Sequence, residues 1–443
     1  MKSKFYLVLL LSLSFANPQD NIKSLPDIQW AGISYINPDI EITKKYPNLS
    51  ILEPYLRKLI TKKISSLENL NYNLKITPSD TYKDGTLSML LAIDSESVTK
   101  LDINILNEPS CISTYYASMQ LIIFDPLSAS ILHIAPFNAR RIYPDKKIGS
   151  CNSSSPNLDL FRFTQFMLNL DIDNQDEIKS YINQTENDMI ESLIALSESK
   201  NRLSSPGSFF NPFLLELEKI DFNKIKNTKF FVGVSEVEFE PLALEQLLGQ
   251  KEMTTNNYFI NSNEFSPNSY KIWIGQQFVK WFGSEFNYPL VPFIKGRALG
   301  KNLALKFSDS TELLNLSLPE LDWGFKINVR GYKKVLLDES RGREAFGWAS
   351  FGNITFQSVG FKDYDSINVK HTITKEINKG DQVDNWGNFD DAVNSFLLYY
   401  IKNIKSIDKK WVSANTNYNQ RDFIKFSKTV FDKLKFWFII VLK

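Results

Sequence analysis

Two stretches of this chain share one pattern, and that echo constrains the fold more than any other feature. Tyr116 to Phe124 reads YASMQLIIF and Trp348 to Phe356 reads WASFGNITF; both fit aromatic-Ala-Ser-apolar-x-x-Ile-x-Phe. A second pair precedes them in the same order: AGISYIN at 31–37 and VGVSEVE at 232–238, both apolar-Gly-apolar-Ser-x-apolar.

Each pair lies in the same series of elements. In the first half, Ile28 to Ile36 reads as a strand. Leu56, Ile60, Ile64 and Leu67 then form one helical stripe beginning near Pro54. NYNLKI and TLSMLLAI read as strands on either side of an Asp84-Gly85 turn. Thr114 to Phe124 and Ser130 to Pro136 form a strand pair broken at Asp125-Pro126, and a helix over 158–170 closes the set. In the second half, Phe230 to Phe239 is a strand, and an Asn- and Ser-rich insertion occupies about 251–269. Ile272, Val279, Phe282 and Phe286 then mark a helix, with Gly275 on the same face. YPLVPFI and NLALKF are strands, 321–338 reads as a hairpin, 346–359 is a strand, and a helix over 389–404 closes this half too. Sequential strands with covering helices make an α+β fold (mixed α/β). The expectation is two similar β-α-β-β-β-α domains from internal duplication, at 28–197 and 229–404. A polar, turn-rich linker at 198–228 separates them, and a helical tail follows at 405–443.

The N-terminus reads as an address label. Lys2 and Lys4 precede the apolar run FYLVLLLSLSF, and Ser14-Phe15-Ala16 supplies small residues where a signal peptidase cuts. The run is too short to span a bilayer, so residues 1–16 are expected to be a signal peptide and the mature chain periplasmic or secreted. Cleavage removes two lysines and takes the formal charge from +1 to −1. With 51 Lys plus Arg against 50 Asp plus Glu, no global field draws the chain to nucleic acid. In an oxidising compartment the only two cysteines, Cys111 and Cys151, are expected to form one disulfide. The chain-entropy estimate for such a loop is roughly 4 kcal/mol.

Reactive constellations are scarce. His133 and His371 lie in strand-like runs with no second His or Cys at metal-ligand spacing, so neither a metal nor a cofactor is expected. No G-x-S-x-G elbow accompanies them. GRALGKN at 296–302 is one residue short of a phosphate loop and has Asn where Ser or Thr is needed, so it reads as a loop. DIDNQDE at 171–177 lacks the calcium-loop Gly and reads as an acid-rich helix start. DNWGNFDD at 384–391 fits a sugar-binding loop and a helix N-cap equally. Asp338, Glu339 and Glu344 are the only candidate acid–base carboxylates, in a charged turn that also reads as a solvated hairpin tip. In the tail, Phe423, Phe426, Val430, Leu434, Trp437 and Val441 form an apolar stripe on a basic helix. That stripe suits contact with a membrane interface or a partner, or docking on the protein's own core.

These features favour an exported, non-catalytic envelope protein that binds or assembles with another envelope protein or polymer. The alternatives are an exported hydrolase using paired carboxylates on an envelope polymer, and a surface or host-interaction protein.

Overall fold

The computed structural model describes residues 25–36, 42–76 (except 69), 86–145 (except 106–107), 156–248 (except 223–224 and 226–230), 267–293 (except 287–289 and 292), 302–307, 313–379 (except 341 and 359–363), 383 and 385–441. The chain is α+β, with helices packed on two sheets.

The first sheet starts from β1 (Asp27–Ile36), buried along nearly its whole length. A strand covered on both faces carries an unbroken apolar run. The helix α1 (Leu49–Ser65) follows, then β2 (Asn73–Ile76), β3 (Leu87–Ile105), β4 (Glu108–Asp125) and β5 (Ser130–Asp145). β1 pairs in parallel with β2 and β3, and β3, β4 and β5 form an antiparallel meander. The stripe of α1 is buried through Leu52, Leu56, Ile60 and Ile64. The helix begins five residues before Pro54, earlier than its sequence suggests, because β3 supplies the cap. Glu96 Oε1 accepts from the Asn48 backbone N–H at 2.9 Å, and Oε2 accepts from Leu49 N–H at 2.8 Å. A remote carboxylate thus satisfies the orphan donors of the first turn.

The helices α2 (Pro156–Leu168), α3 (Gln175–Ile182), α4 (Glu186–Ser199) and α5 (Asn211–Lys219) complete this first core. The acidic start of α3 behaves as read: the Asn174 side chain accepts from the Asp176 and Glu177 amides. The stretch expected as a linker, 198–228, differs. Leu203, Phe209, Phe210, Phe213, Leu214, Leu217 and Ile220 are buried in the first core, so its apolar residues hold it there between polar turn residues.

The second sheet is built from β6 (Val232–Phe239), β9 (Trp323–Ser340), β10 (Arg343–Ser358) and β11 (Tyr364–Asn378), in the order β11-β10-β9-β6. Between β6 and β9 lie α6 (Pro241–Leu248), α7 (Pro267–Phe286), β7 (Asn302–Phe307) and β8 (Leu313–Ser317). The helices α8 (Asn385–Lys405), α9 (Lys409–Asn415) and α10 (Gln420–Val441) follow. The four-strand arrangement β1-β3-β4-β5 recurs as β6-β9-β10-β11. In each, a parallel first pair carries a register shift and leads into an antiparallel meander. The echoed stretches occupy matching places: AGISYI (31–36) and VGVSEVE in the leading strands, YASMQLIIF and WASFGNITF in the central ones. Tyr116 and Ser118, like Trp348 and Ser350, turn toward the layer formed by α7 and α8, which lies between the two sheets.

Two further expectations are corrected. Residues 321–338 are not a hairpin: Gly331 is taken into β9, a single strand running to Ser340. And β7 and β8, expected inside the second domain, join the first sheet instead. β7 pairs with β1 and β8 bridges to β5, so six strands close on themselves around Leu90, Ala92, Ile122, Phe124, Leu303 and Leu305.

Candidate functional site between the two halves

A cavity of about 130 Å³ lies where β4 and β5 of the first sheet meet α7 and α8. Helical spacing places Trp273, Gln277 and Lys280 on one face of α7. Alternation on β5 brings Asn138 and Arg140 to the same side, and α8 contributes Asp390, Asp391 and Asn394. The Arg140 guanidinium reaches both aspartates, bonding Asp391 directly and lying 3.5 Å from Asp390. Asp390 also accepts from the Tyr270 hydroxyl at 3.0 Å, and Lys375 approaches Asp391 at 3.4 Å. Burial pushes the Tyr270 phenol well above its usual range, and the Asp390 charge adds to the effect.

Lys280 is the odd member of the cluster. Its Nζ donates to the backbone oxygen and to Oδ1 of Asn138, both at 3.1 Å, and these acceptors are neutral. Burial therefore pulls its amine down to about 8. Beside it, Trp281 Nε1 donates to Asn394 Oδ1 at 2.8 Å. A second polar link lies along α7: Gln276 bonds the Asp94 carboxylate and accepts from the Ser118 hydroxyl at 3.2 Å. The carboxylates here are engaged by Arg140, Tyr270 and Lys375. The volume suits a few waters or a small ion and falls below that of an ordinary ligand pocket. Chemically, the arrangement ties β5 to α7 and α8 across 142 and 251 residues of sequence.

None of the candidate catalytic carboxylates lines this cavity. Asp338 and Glu339 lie at the end of β9, Glu344 stands near the start of β10 directly opposite Glu339, and Glu339 is engaged by Lys379, just beyond the end of β11. They decorate the tip of an antiparallel arm, as in the solvated-tip reading of this turn, because β9 runs straight to Ser340. Of the readings open for the tail, docking on the protein's own core holds for part of the stripe. Phe423, Phe426 and Val430 are buried in the second core and are not available to a membrane. The side chains of Leu434, Trp437 and Val441 lie outside the described residues. No helix among the described residues is long and apolar enough to cross a membrane, which leaves spanning by strands open.

His133 Nε2 sits 3.3 Å from Glu216 Oε1 on α5. Burial raises the Glu216 carboxyl, and the hydrogen bond and charge of His133 outweigh it, leaving it below its ordinary value. His371 stacks on Tyr399 at 4.9 Å, and burial lowers its pKa. Among the described residues no group of three or more His, Cys, Asp or Glu could hold a metal ion. Residues 385–391 of that stretch form the start of α8, and its two last aspartates serve Arg140, while residue 384 lies outside the described residues. Residues 296–301 and Cys151 lie outside the described residues. Cys111 is buried at the start of β4. Sequence reading missed the Lys280, Arg140 and Asp390 cluster, since its members come from three separate elements. The only local hint was the paired aspartates in FDD. No protein-family model and no curated protein matches the chain.

Proposed function

We propose that the chain is an exported cell-envelope protein that works by binding or assembly, without catalysis. Its two sheet-and-helix units descend from one duplicated unit, an origin supported by the shared strand order and the matched stretches. The observation that carries the reading is the arm made by the outer parts of β9, β10 and β11. Beyond Tyr332 every residue of β9 is exposed, and Val335, Leu336 and Leu337 are 39%, 47% and 55% accessible. Consecutive apolar residues held in solvent on a formed strand are an interaction surface. The junction groups, by contrast, bond chiefly to one another.

Export and the disulfide belong to the same proposal. Asp145 lies directly opposite Cys111 across β4 and β5, so Cys151 is only six residues from a cross-strand neighbour, within reach of a bridge. The partner class is an envelope protein, a further copy of this chain included, or an envelope polymer.

The test is a photo-activatable cross-linker at position 336, with a control at Lys409, in the full chain in its own cells. Adducts specific to position 336, on a protein whose N-terminus is Asn17, support the reading. A chain still beginning at Met1 overturns export. Absence of any adduct, combined with a polymer-degrading activity that Asp338→Ala and Glu344→Ala abolish, makes the protein a hydrolase instead.

A further inference from the structure

We infer that the outer edge of β9 pairs antiparallel with the same edge of a second copy of this chain, about a two-fold axis at Leu336. β6 accompanies β9 only as far as Val329, opposite Phe239. Three residues further along β9, a side chain finishes the job of a strand. Tyr332 N–H donates to Gln246 Oε1 at 2.8 Å, and Gln246 Nε2 donates to the Tyr332 carbonyl at 2.9 Å. From Lys333 to Ser340, no strand among the described residues lies on that side. Up to the extra residue at Leu337, alternate N–H and C=O groups of this run point away from β10, a ready template for another strand.

Edges of this kind are normally guarded by charge in the middle. Here the middle is Val335-Leu336-Leu337, and the charges flank it: Lys333-Lys334 before, Asp338-Glu339 after. The run KKVLLDE is therefore complementary to itself when reversed. Antiparallel pairing centred on Leu336 sets Lys333 against the partner's Glu339, Lys334 against the partner's Asp338, and Val335 against the partner's Leu337. In-register parallel pairing would set lysine on lysine and carboxylate on carboxylate, which is unfavourable. Charge thus selects both direction and register, and the result is an isologous two-fold contact. The sheet would continue as β11-β10-β9 of one copy into β9-β10-β11 of the next. The existing contacts of these charges, Lys334 over the Phe346 ring at 4.1 Å and Glu339 with Lys379, are at the surface and leave donors and acceptors to share. The extra residue of β9 at Leu337, where its register against β10 shifts, sharpens the twist at the pairing centre in both copies alike. So short an edge gives a reversible dimer at the small end of specific interfaces, with dissociation on the order of 10 μM.

The inference rests on reading the arm as an interaction surface, and names its partner. Sedimentation velocity on the mature full-length chain, up to about 200 μM in low salt, tests it. The wild type is expected to pass from monomer to dimer with concentration. Lys333→Glu with Lys334→Glu, and separately Asp338→Lys with Glu339→Lys, are each expected to weaken self-association about tenfold or more. An equimolar mixture of the two folded variants is expected to restore it as a heterodimer. A wild type that stays monomeric, reversals without effect, or a mixture that fails to recover association each overturns self-pairing. If position 336 then cross-links a different polypeptide, the arm remains a binding surface and only the identity of the partner is wrong. If it captures nothing, both readings fall.

Discussion

Single residues decide how the elements meet, and two buried titratable groups make this measurable. Glu96 is 6% exposed; burial raises its carboxyl to about 7 against the three hydrogen bonds from Asn48 and Leu49 that lower it. A raised carboxyl binds its proton more tightly when folded. Its contribution is therefore full below the unfolded value of 4.5 and is lost as pH climbs through about 7. The unfolding free energy of the wild type relative to Glu96→Gln is expected to fall across that window by up to about 3 kcal/mol, read by urea titration at stepped pH. A flat difference would mean that Glu96 ionises normally. Lys280 runs the other way. Its amine is depressed to about 8 from 10.5, so the unfolded chain holds more protons between those values and stability rises with pH there. Lys280→Met is expected to remove that rise, and an unchanged pH profile would show that the amine is solvated. The echoed glycines teach a related lesson. Gly32 has a φ of +97°, within a register shift of β1, whereas a Cβ at Gly233 would sit 2.6 Å from the Val291 carbonyl oxygen. One letter of a repeated pattern answers two different physical needs.

At the scale of elements, periodicity was a sound guide to type and a poor one to extent. The stripes of α1 and α7 were legible because a buried helical face recurs every three to four residues. The extent of β9 was not legible. Its outer part has both faces in solvent, so no alternation marks it, and Gly331 imitates a turn. The tail stripe was equally plain, yet its destination was open, because an apolar face looks the same whether it meets lipid or core. Phe426 is buried, with its ring 6.3 Å from Tyr400 and 6.2 Å from Tyr418. Phe426→Ala is expected to cost about 3–5 kcal/mol in urea unfolding without membranes present. A loss below about 1 kcal/mol would mean that α10 is not part of the core.

The molecule as a whole is more interwoven than two beads on a string. β7 and β8 leave the second half to close the first sheet, and α7 and α8 are shared between sheets through Arg140, Lys280 and Asp390. A chain ending at residue 229 would uncover Ala31, Leu90, Ala92, Ile122 and Phe124, which β7 and β8 normally shield. It is expected to bind a hydrophobic dye and to unfold without a cooperative transition. Sharp, dye-free unfolding of that fragment would show that the halves are independent. The sequence by itself settled the α+β class, the order of most elements, the helical stripes and the sparseness of reactive motifs, because these are written in spacings of two to four residues. Tertiary structure alone decided that Leu203, Phe209, Phe210, Phe213, Leu214, Leu217 and Ile220 are core, that β7 and β8 cross over, that Glu96 caps α1, and that Arg140 meets Asp391, 251 residues away. A buried face or a charge states that it needs a partner, but which partner it obtains depends on contacts between remote parts of the chain, and no local pattern encodes those.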